Sequence, residues 1–410
     1  MNSKSIGVGA GAIVVVLGLF WWAIGPDWRE VLRQRPLSTD IYSYTDGQRD
    51  VAFRMGDRVP FFIKKRSIPA GGNVRELPIG DDLKIEMDVD AFLEGQRVAG
   101  LVILHNGKVR KETYRLGFGP RQRWISMSMS KSVTSTLLGA AIQDGYISSV
   151  DQLITEFIPE LKGSGYDGVT IEDALKMASG VEWEERYASP DPDEKRATTT
   201  AIEKDENGND IPLMVSMMKD RPRIHPPGEY YYYSGADTIM LGVLVRRAID
   251  KPLATYLSEK IWKPFGMEDK ANWYLNDDGH EQYAGGIMAT TKDYARFGLF
   301  ITEQLKGTGK TVIPQDYLKK ATSYQIKTPY DWGYGYQWWV AEPANFPDPV
   351  FMADGIFGQS IFIDPKRDLV IAMNSSWPEP LGARNDEWVG RYVFWKAVQA
   401  AIDKEDNANS

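Results

Sequence analysis

The sequence predicts an α+β fold: an antiparallel sheet flanked by helices, with an inserted, mostly helical lobe and an apolar N-terminal helix in front. Three observations predict it. Residues 99–115, AGLVILHNGKVRKETYR, set two β-rich runs on either side of Asn106-Gly107, a dipeptide suited to a tight hairpin turn. Between about 150 and 325, helical patterns alternate with Pro- and Gly-rich loops. After residue 330 the pattern returns to strands, in GYGYQWWV, GIFGQSIFIDP and LVIAMNSS, before a closing amphipathic helix, DEWVGRYVFWKAVQAAI. Strands from both ends of the chain therefore frame the helical block.

Residues 6–25, IGVGAGAIVVVLGLFWWAIG, carry no charge, and none occurs between Lys4 and Asp27. Twenty apolar residues in a helix match the hydrocarbon thickness of a bilayer, and Trp21 and Trp22 fall where an interfacial aromatic belt sits. A cleaved signal peptide is the competing reading. It needs a small-x-small cleavage site, and bulky Trp21 two positions before Ala23 opposes one. The expectation is an uncleaved transmembrane helix or signal anchor within residues 1–26, contacting the membrane through residues 6–25. Basic residues flank both sides, so charge leaves its orientation open. Residues 27–79, with Pro36, Pro60, Pro69, Pro78 and Gly71-Gly72, read as an irregular arm. Residues 80–404 form the main body and 405–410 a disordered tail.

Composition excludes several classes. A chain of 410 residues exceeds the usual limit of one hydrophobic core, which fits a two-lobed body. The net charge is −8 and the basic residues are scattered, which argues against nucleic acid. There is no cysteine, so disulfides, thiolate metal sites and a cysteine nucleophile are excluded. The three histidines, His105, His225 and His280, form no local zinc motif, and no metal or other cofactor is expected.

The stretch SMSMSKSVTSTLL, residues 126–138, opens a helix in which Val133, Leu137, Leu138 and Ala141 share a face. Ser128 and Lys131 stand at i and i+3, so the amine can reach the hydroxyl. A serine nucleophile needs such a base, and burial disfavours the charged form of a lysine. A helix start also leaves the serine N–H free as an oxyanion donor. The same spacing recurs at Ser216/Lys219, late in another helix, where no free N-terminus exists. The bland reading of Ser128 is an N-cap beside a solvated lysine. HPPGEYYYYSGADTIMLGVLV, residues 225–245, adds four tyrosines before an apolar helix. They could relay protons or simply pack a strand. In ADGIFGQSIFIDP, residues 353–365, Gly355 lets a strand approach a ligand closely, or it marks a hairpin.

The order of these blocks resembles the serine hydrolases of the β-lactamase and penicillin-binding-protein fold. Within them it is most similar to the class C-like esterase and amidase branch that includes 6-aminohexanoate-dimer hydrolase. The resemblance spans roughly residues 80–400, through SMSMSKSVTSTLLGAAIQDGYI, TIEDALKMASGVEWEE, PPGEYYYYSGADTIMLG, GGIMATTKDYARFG, WGYGYQWW and GIFGQSIFIDPKRDLVIAMNSS. It implies Ser128 as nucleophile and Lys131 as its partner base. Tyr233 takes the place of the catalytic tyrosine, since four residues separate it from Pro227-Gly228. The implied oxyanion donors are the N–H groups of Ser128 and Ile356. Tyr187 resembles a second tyrosine that assists amide cleavage.

Where lactamases and peptidases carry a cationic Lys-Thr-Gly strand, this chain reads Ala353-Asp354-Gly355, and Gly235 replaces an amide side chain. Asp354 would repel a carboxylate. Neutral or basic esters and amides are therefore the expected substrates, with Tyr187, Asp354, Gly355 and Trp338 at the binding site. Trp183, Trp332, Trp338 and Trp339 could line that pocket or fill the core. β-Lactamase or DD-peptidase activity is one alternative, and a non-catalytic, membrane-tethered binding protein is another. The resemblance places the body on the periplasmic or outer side of a membrane.

Overall fold

Strand β2 (Val98–His105) is buried along its whole length. Successive side chains point to opposite faces of a strand, and both faces are covered. Val102 and Leu104 join the core under the helical lobe. Leu101 and Ile103 join a second core against the C-terminal helix. The computed structural model of the protein describes residues 17–36, 40–59, 63–185, 193, 203–205, 208, 210–342, 344, 346, 348–382 and 386–409.

In chain order, the elements that position the site begin with helices α1 (Gly25–Gln34) and α2 (Asp46–Met55), strand β1 (Lys65–Ile68) and helix α3 (Val89–Gly95). Strand β2 leads to β3 (Lys108–Tyr114), β4 (Trp124–Ile125) and helix α4 (Met129–Gln143). The inserted lobe contributes short helices and then α5 (Gly235–Ile249). Strands β5 (Ala271–Tyr274) and β6 (Ile287–Ala289) precede α6 (Thr291–Lys306). The chain closes with β7 (Trp332–Tyr334), β8 (Trp339–Ala341), β9 (Phe351–Gly355), β10 (Gln359–Asp364), β11 (Leu369–Ser375) and α7 (Asp386–Asn409).

The main sheet has the order β3-β2-β11-β10-β9-β8-β7, and every neighbouring pair is antiparallel. The hairpin at Asn106-Gly107 forms as expected. Both residues adopt positive φ, +52° and +71°, which a primed two-residue turn requires. Helix α7 packs on one sheet face, where Trp395 stacks on Phe362 at 4.7 Å and Phe394 stacks on Phe92 of α3 at 4.2 Å. Helices α4 and α6 and the inserted lobe cover the other face.

Several expectations are corrected. The arm is not irregular. Thr45 and Gln48 form a reciprocal capping box that starts α2. A second, four-stranded sheet, β1-β5-β6-β4, was not expected. Its strands run two to four residues, too short to show alternation. The C-terminal tail is helical through Asn409. Arg110 donates to both oxygens of Glu405, at 2.9 and 2.7 Å, which ties down the last turns.

Of the expected spanning segment, residues 6–16 lie outside the described residues. The helix at 17–23 breaks before α1, where Gly25 has φ +77° and Pro26 has no N–H to donate. Among the described residues no helix is long and apolar enough to cross a membrane.

Helices α4 and α5 pack directly, and the loop before β6 locks them together. Thr134 of α4 donates to the Tyr283 carbonyl at 2.8 Å. A methyl group on Gly242 of α5 would sit 2.2 Å from the Tyr283 ring. Gly242→Ala is therefore expected to destabilise the protein by about 1–3 kcal/mol, read as a lower urea midpoint. An unchanged midpoint would contradict this packing.

Candidate active site

Helix α4 begins with the polar run Ser126–Ser132, yet every residue from Met129 to Ala141 is buried. An amphipathic helix with a wet polar face is not what forms. Burying hydroxyls is tolerable only when each finds a partner, and here they do. Ser126 and Ser130 Oγ lie 2.7 Å apart. Ser132 donates to the Gln337 carbonyl at 2.6 Å and Ser135 to the Tyr336 carbonyl at 2.8 Å. Thr136 bonds back to the Ser132 carbonyl at 2.7 Å. The hydroxyl row stitches α4 to the loops around it, which fixes where Ser128 stands.

Ser128 caps the helix without using its side chain as a cap. Its hydroxyl instead meets Lys131 Nζ at 3.1 Å. Lys131 is 3% exposed. Its ammonium also reaches the Ala284 carbonyl at 3.3 Å and lies 4.9 Å from the centroid of the Tyr233 ring. Tyr233 stacks on Trp339, with centroids 6.1 Å apart. Ser128, Lys131 and Tyr233 thus meet around one amine. The second Ser-x-x-Lys pair behaves differently: Lys219 pairs with Glu203, and Ser216 is buried away from any such amine.

Glu185 is the residue that sequence reasoning missed. Its carboxylate lies 3.7 Å from Lys131 Nζ and accepts 2.6 Å hydrogen bonds from Trp183 Nε1 and the Gly235 N–H. A buried cation needs a counter-charge, and this carboxylate supplies it. Gly235 has a positive role here. A methyl group at that position would lie 2.8 Å from Glu185 Oε2, so the missing side chain is what admits the carboxylate. The SGVEWEE run held the signal, since Glu185 closes a block that carries the family resemblance.

The strand opposite is equally close. A Cβ on Gly355 would sit 2.7 Å from the Ser126 carbonyl and 3.0 Å from the Ser128 nitrogen. Only glycine lets the end of β9 and the Ile356 turn lie against the start of α4. Two backbone N–H groups flanking a serine hydroxyl are the elements from which an oxyanion hole is built.

Two expectations at the binding site change, and the open reading of Trp183 resolves. Trp338 is 1% exposed, packed between Phe297 and Phe351. It belongs to the core, while its neighbour Trp339 faces Tyr233, as alternation along a strand dictates. Trp183 is also buried, and its indole N–H serves Glu185. Asp354 is not an open negative charge. It pairs with Arg391 of α7 at 2.8 Å, and that guanidinium packs over Trp377, Trp388 and Trp395. Burial pushes the Asp354 carboxyl up to about 6, with Arg391 pulling it back down. Repulsion of a substrate carboxylate by Asp354 is therefore largely cancelled. Tyr187 lies outside the described residues. Among the described residues no group of acids and histidines could hold a metal ion.

The fold and this geometry define a serine-hydrolase scaffold, and comparison with known proteins agrees. The beta-lactamase family matches residues 86–392, and the chain belongs to that family. It is similar to the 6-aminohexanoate-dimer hydrolase of Paenarthrobacter ureafaciens, 28% identical over 305 residues that cover 72% of this chain and 76% of the relative. A Bacillus anthracis structure assigned provisionally as a 6-aminohexanoate-dimer hydrolase superposes with a TM-score of 0.75 and 22% identity, covering 88% and 96% of the two chains. The structure of EstCE1, a hydrolase with promiscuous acyltransferase activity, gives a TM-score of 0.58 at 12% identity, covering 77% and 98%. The last two likenesses show the fold. The protein is a hydrolase of the beta-lactamase fold, related to 6-aminohexanoate-dimer hydrolase.

The Gly355 contact yields a direct test. Gly355→Ala is expected to fold but to lose about 10²-fold or more in kcat for p-nitrophenyl acetate, the loss typical of a missing oxyanion donor. Wild-type turnover in this variant would separate the β9 approach from the chemistry.

Proposed function

We propose that the protein is a serine esterase or amidase that works through an acyl-enzyme on Ser128. The observation that carries this reading is the amine of Lys131, 3.1 Å from the Ser128 hydroxyl and beside the Tyr233 ring. In the proposed cycle Ser128 Oγ attacks the substrate carbonyl as its proton passes to Tyr233, which acts as a phenolate stabilised by the Lys131 ammonium. The Ser128 and Ile356 N–H groups hold the oxyanion. Tyr233 delivers the proton to the departing alcohol or amine as the C–O or C–N bond breaks. Water then attacks the acyl-enzyme and its proton returns to Ser128 by the same route. Glu185 holds the Lys131 ammonium in register through the proton transfers. No step calls on a metal or other cofactor.

The substrate class follows from the charges around the serine. The position of the usual carboxylate-binding cation is Ala353, fully buried. Asp354 and Arg391 neutralise each other, and Glu185 offsets Lys131 in the same way. Neutral or basic acyl and leaving groups fit this balance, and it gives a β-lactam carboxylate no partner. Assaying a matched set of neutral, basic and acidic short-chain esters and amides tests both halves. Neutral and basic members should be turned over, and acidic ones at least about tenfold more slowly. Ser128→Ala should abolish all turnover. Residual activity in that variant would end the proposal, and a preference for acidic substrates would end its substrate half.

We further propose that residues 6–25 hold the body at a membrane, on its outer face. Support comes from the apolar sequence and from exposed Leu17, Leu19, Phe20 and Trp22 where it enters the described residues. The full chain should sediment with membranes after a carbonate wash, and a chain lacking residues 1–25 should not. Release of the full chain by that wash would refute the anchor.

A further inference from the structure

Both proposed oxyanion donors stand next to a backbone that L-residues rarely adopt. Met127, just before Ser128, has φ +46°, and Phe357, just after Ile356, has φ +60°. Neither is glycine, so each conformation persists only if its surroundings hold it. The two side chains are buried in one small apolar cluster, with Trp124, Phe118 and Phe53. Phe53 comes from α2, in the N-terminal arm, before the region matched by the beta-lactamase family at 86–392.

The arm reaches the Phe357 ring through three side chains. The Phe53 ring stands edge-on to it at 5.4 Å and to Trp124 at 5.8 Å. Tyr42 stacks on it at 6.2 Å. The Arg49 guanidinium lies 5.2 Å over the same ring and donates to the Pro378 carbonyl at 2.9 Å. The turn is gripped on its main chain as well, since the Phe357 N–H donates to Pro380 at 2.8 Å and its carbonyl accepts from Trp377 at 3.2 Å. The arm itself is tightly anchored. Arg97 donates to both oxygens of Asp50 at 2.9 and 2.8 Å, and Arg54 donates to the Leu116 carbonyl at 2.6 Å.

We infer that the N-terminal arm is part of the active site's support, with Phe53 a positioning residue that clamps the left-handed turns flanking the two oxyanion donors. This inference rests on the Ser128 acyl-enzyme reading. Phe53 touches no reacting atom; it acts through Met127 and Phe357. When the clamp is loosened, the turns relax and the two N–H vectors diverge, so stabilisation of the developing oxyanion is lost while ground-state binding is kept.

The test compares Phe53→Ala, the milder Phe53→Leu, Tyr42→Ala and a distant core truncation, Phe92→Ala, in the full chain. Each is assayed on a p-nitrophenyl ester and on its thionoester, with active sites counted by the p-nitrophenol burst. Sulfur is a poor acceptor, so a well-formed oxyanion hole favours the oxygen ester and a loosened one narrows the ratio. Phe53→Ala is expected to lower kcat per active site at least about tenfold, with KM changed less than about threefold and the ester-to-thionoester ratio narrowed. Phe53→Leu should recover part of both. Phe92→Ala should lose stability without moving the ratio. If Phe53→Ala does not fold, Tyr42→Ala, which strips one wall from Phe357, must narrow the ratio on its own. A ratio equal to wild type in the folded clamp variants overturns the inference. A Ser128→Ala control that keeps activity overturns the underlying reading instead, so the two failures are distinct.

Discussion

A buried ammonium organises this active site. Lys131 cannot sit at 3% exposure without partners, because desolvating an unpaired charge costs several kcal/mol. Its partners come from distant parts of the chain: the Ser128 hydroxyl one turn back, the Ala284 carbonyl before β6, Glu185 from the inserted lobe and the Tyr233 face at the start of α5. Meeting the demand of one cation therefore brings helix α4, the helical lobe and the second sheet to a single point. The row of buried hydroxyls along α4 does the same for the helix as a whole. Its Ser and Thr residues mark contact with other backbones, where a wet surface was the simpler reading.

The features legible in the sequence are those with local causes. Asn106-Gly107 dictates its own turn, and a helix start bearing serine and lysine on one face can be read from spacing. The order of the motif blocks carried the rest of the fold. What escaped reading depends on partners far along the chain. Strands β4, β5 and β6 are too short to alternate, and they form by pairing with one another and with β1. Asp354 looked like a bare pocket charge because its partner, Arg391, lies on the last helix. Trp338 and Trp339 are indistinguishable by composition, and only the register of β8 sends one to the core and the other to Tyr233. The arm looked irregular because its prolines drew attention from the Thr45-x-x-Gln48 cap.

Gly235 and Gly355 show how absent side chains shape the site. At 235 the missing atoms make room for a carboxylate that offsets the lysine. At 355 they let a strand lie against a helix terminus. Read against the family motifs, Gly235 looks like a loss and Gly355 like a residue simply retained. In three dimensions each is the condition for another group's presence.

The central strand pair has a consequence for how the molecule is made. His105 of β2 pairs with Leu369 of β11, so more than half of the chain is threaded out and back between two neighbouring strands. Closing so long a loop is entropically slow. Until β11 emerges from the ribosome, β2 waits with its Val, Leu and Ile side chains and one row of backbone groups uncovered. Such an interval favours capture by chaperones or association with other nascent chains.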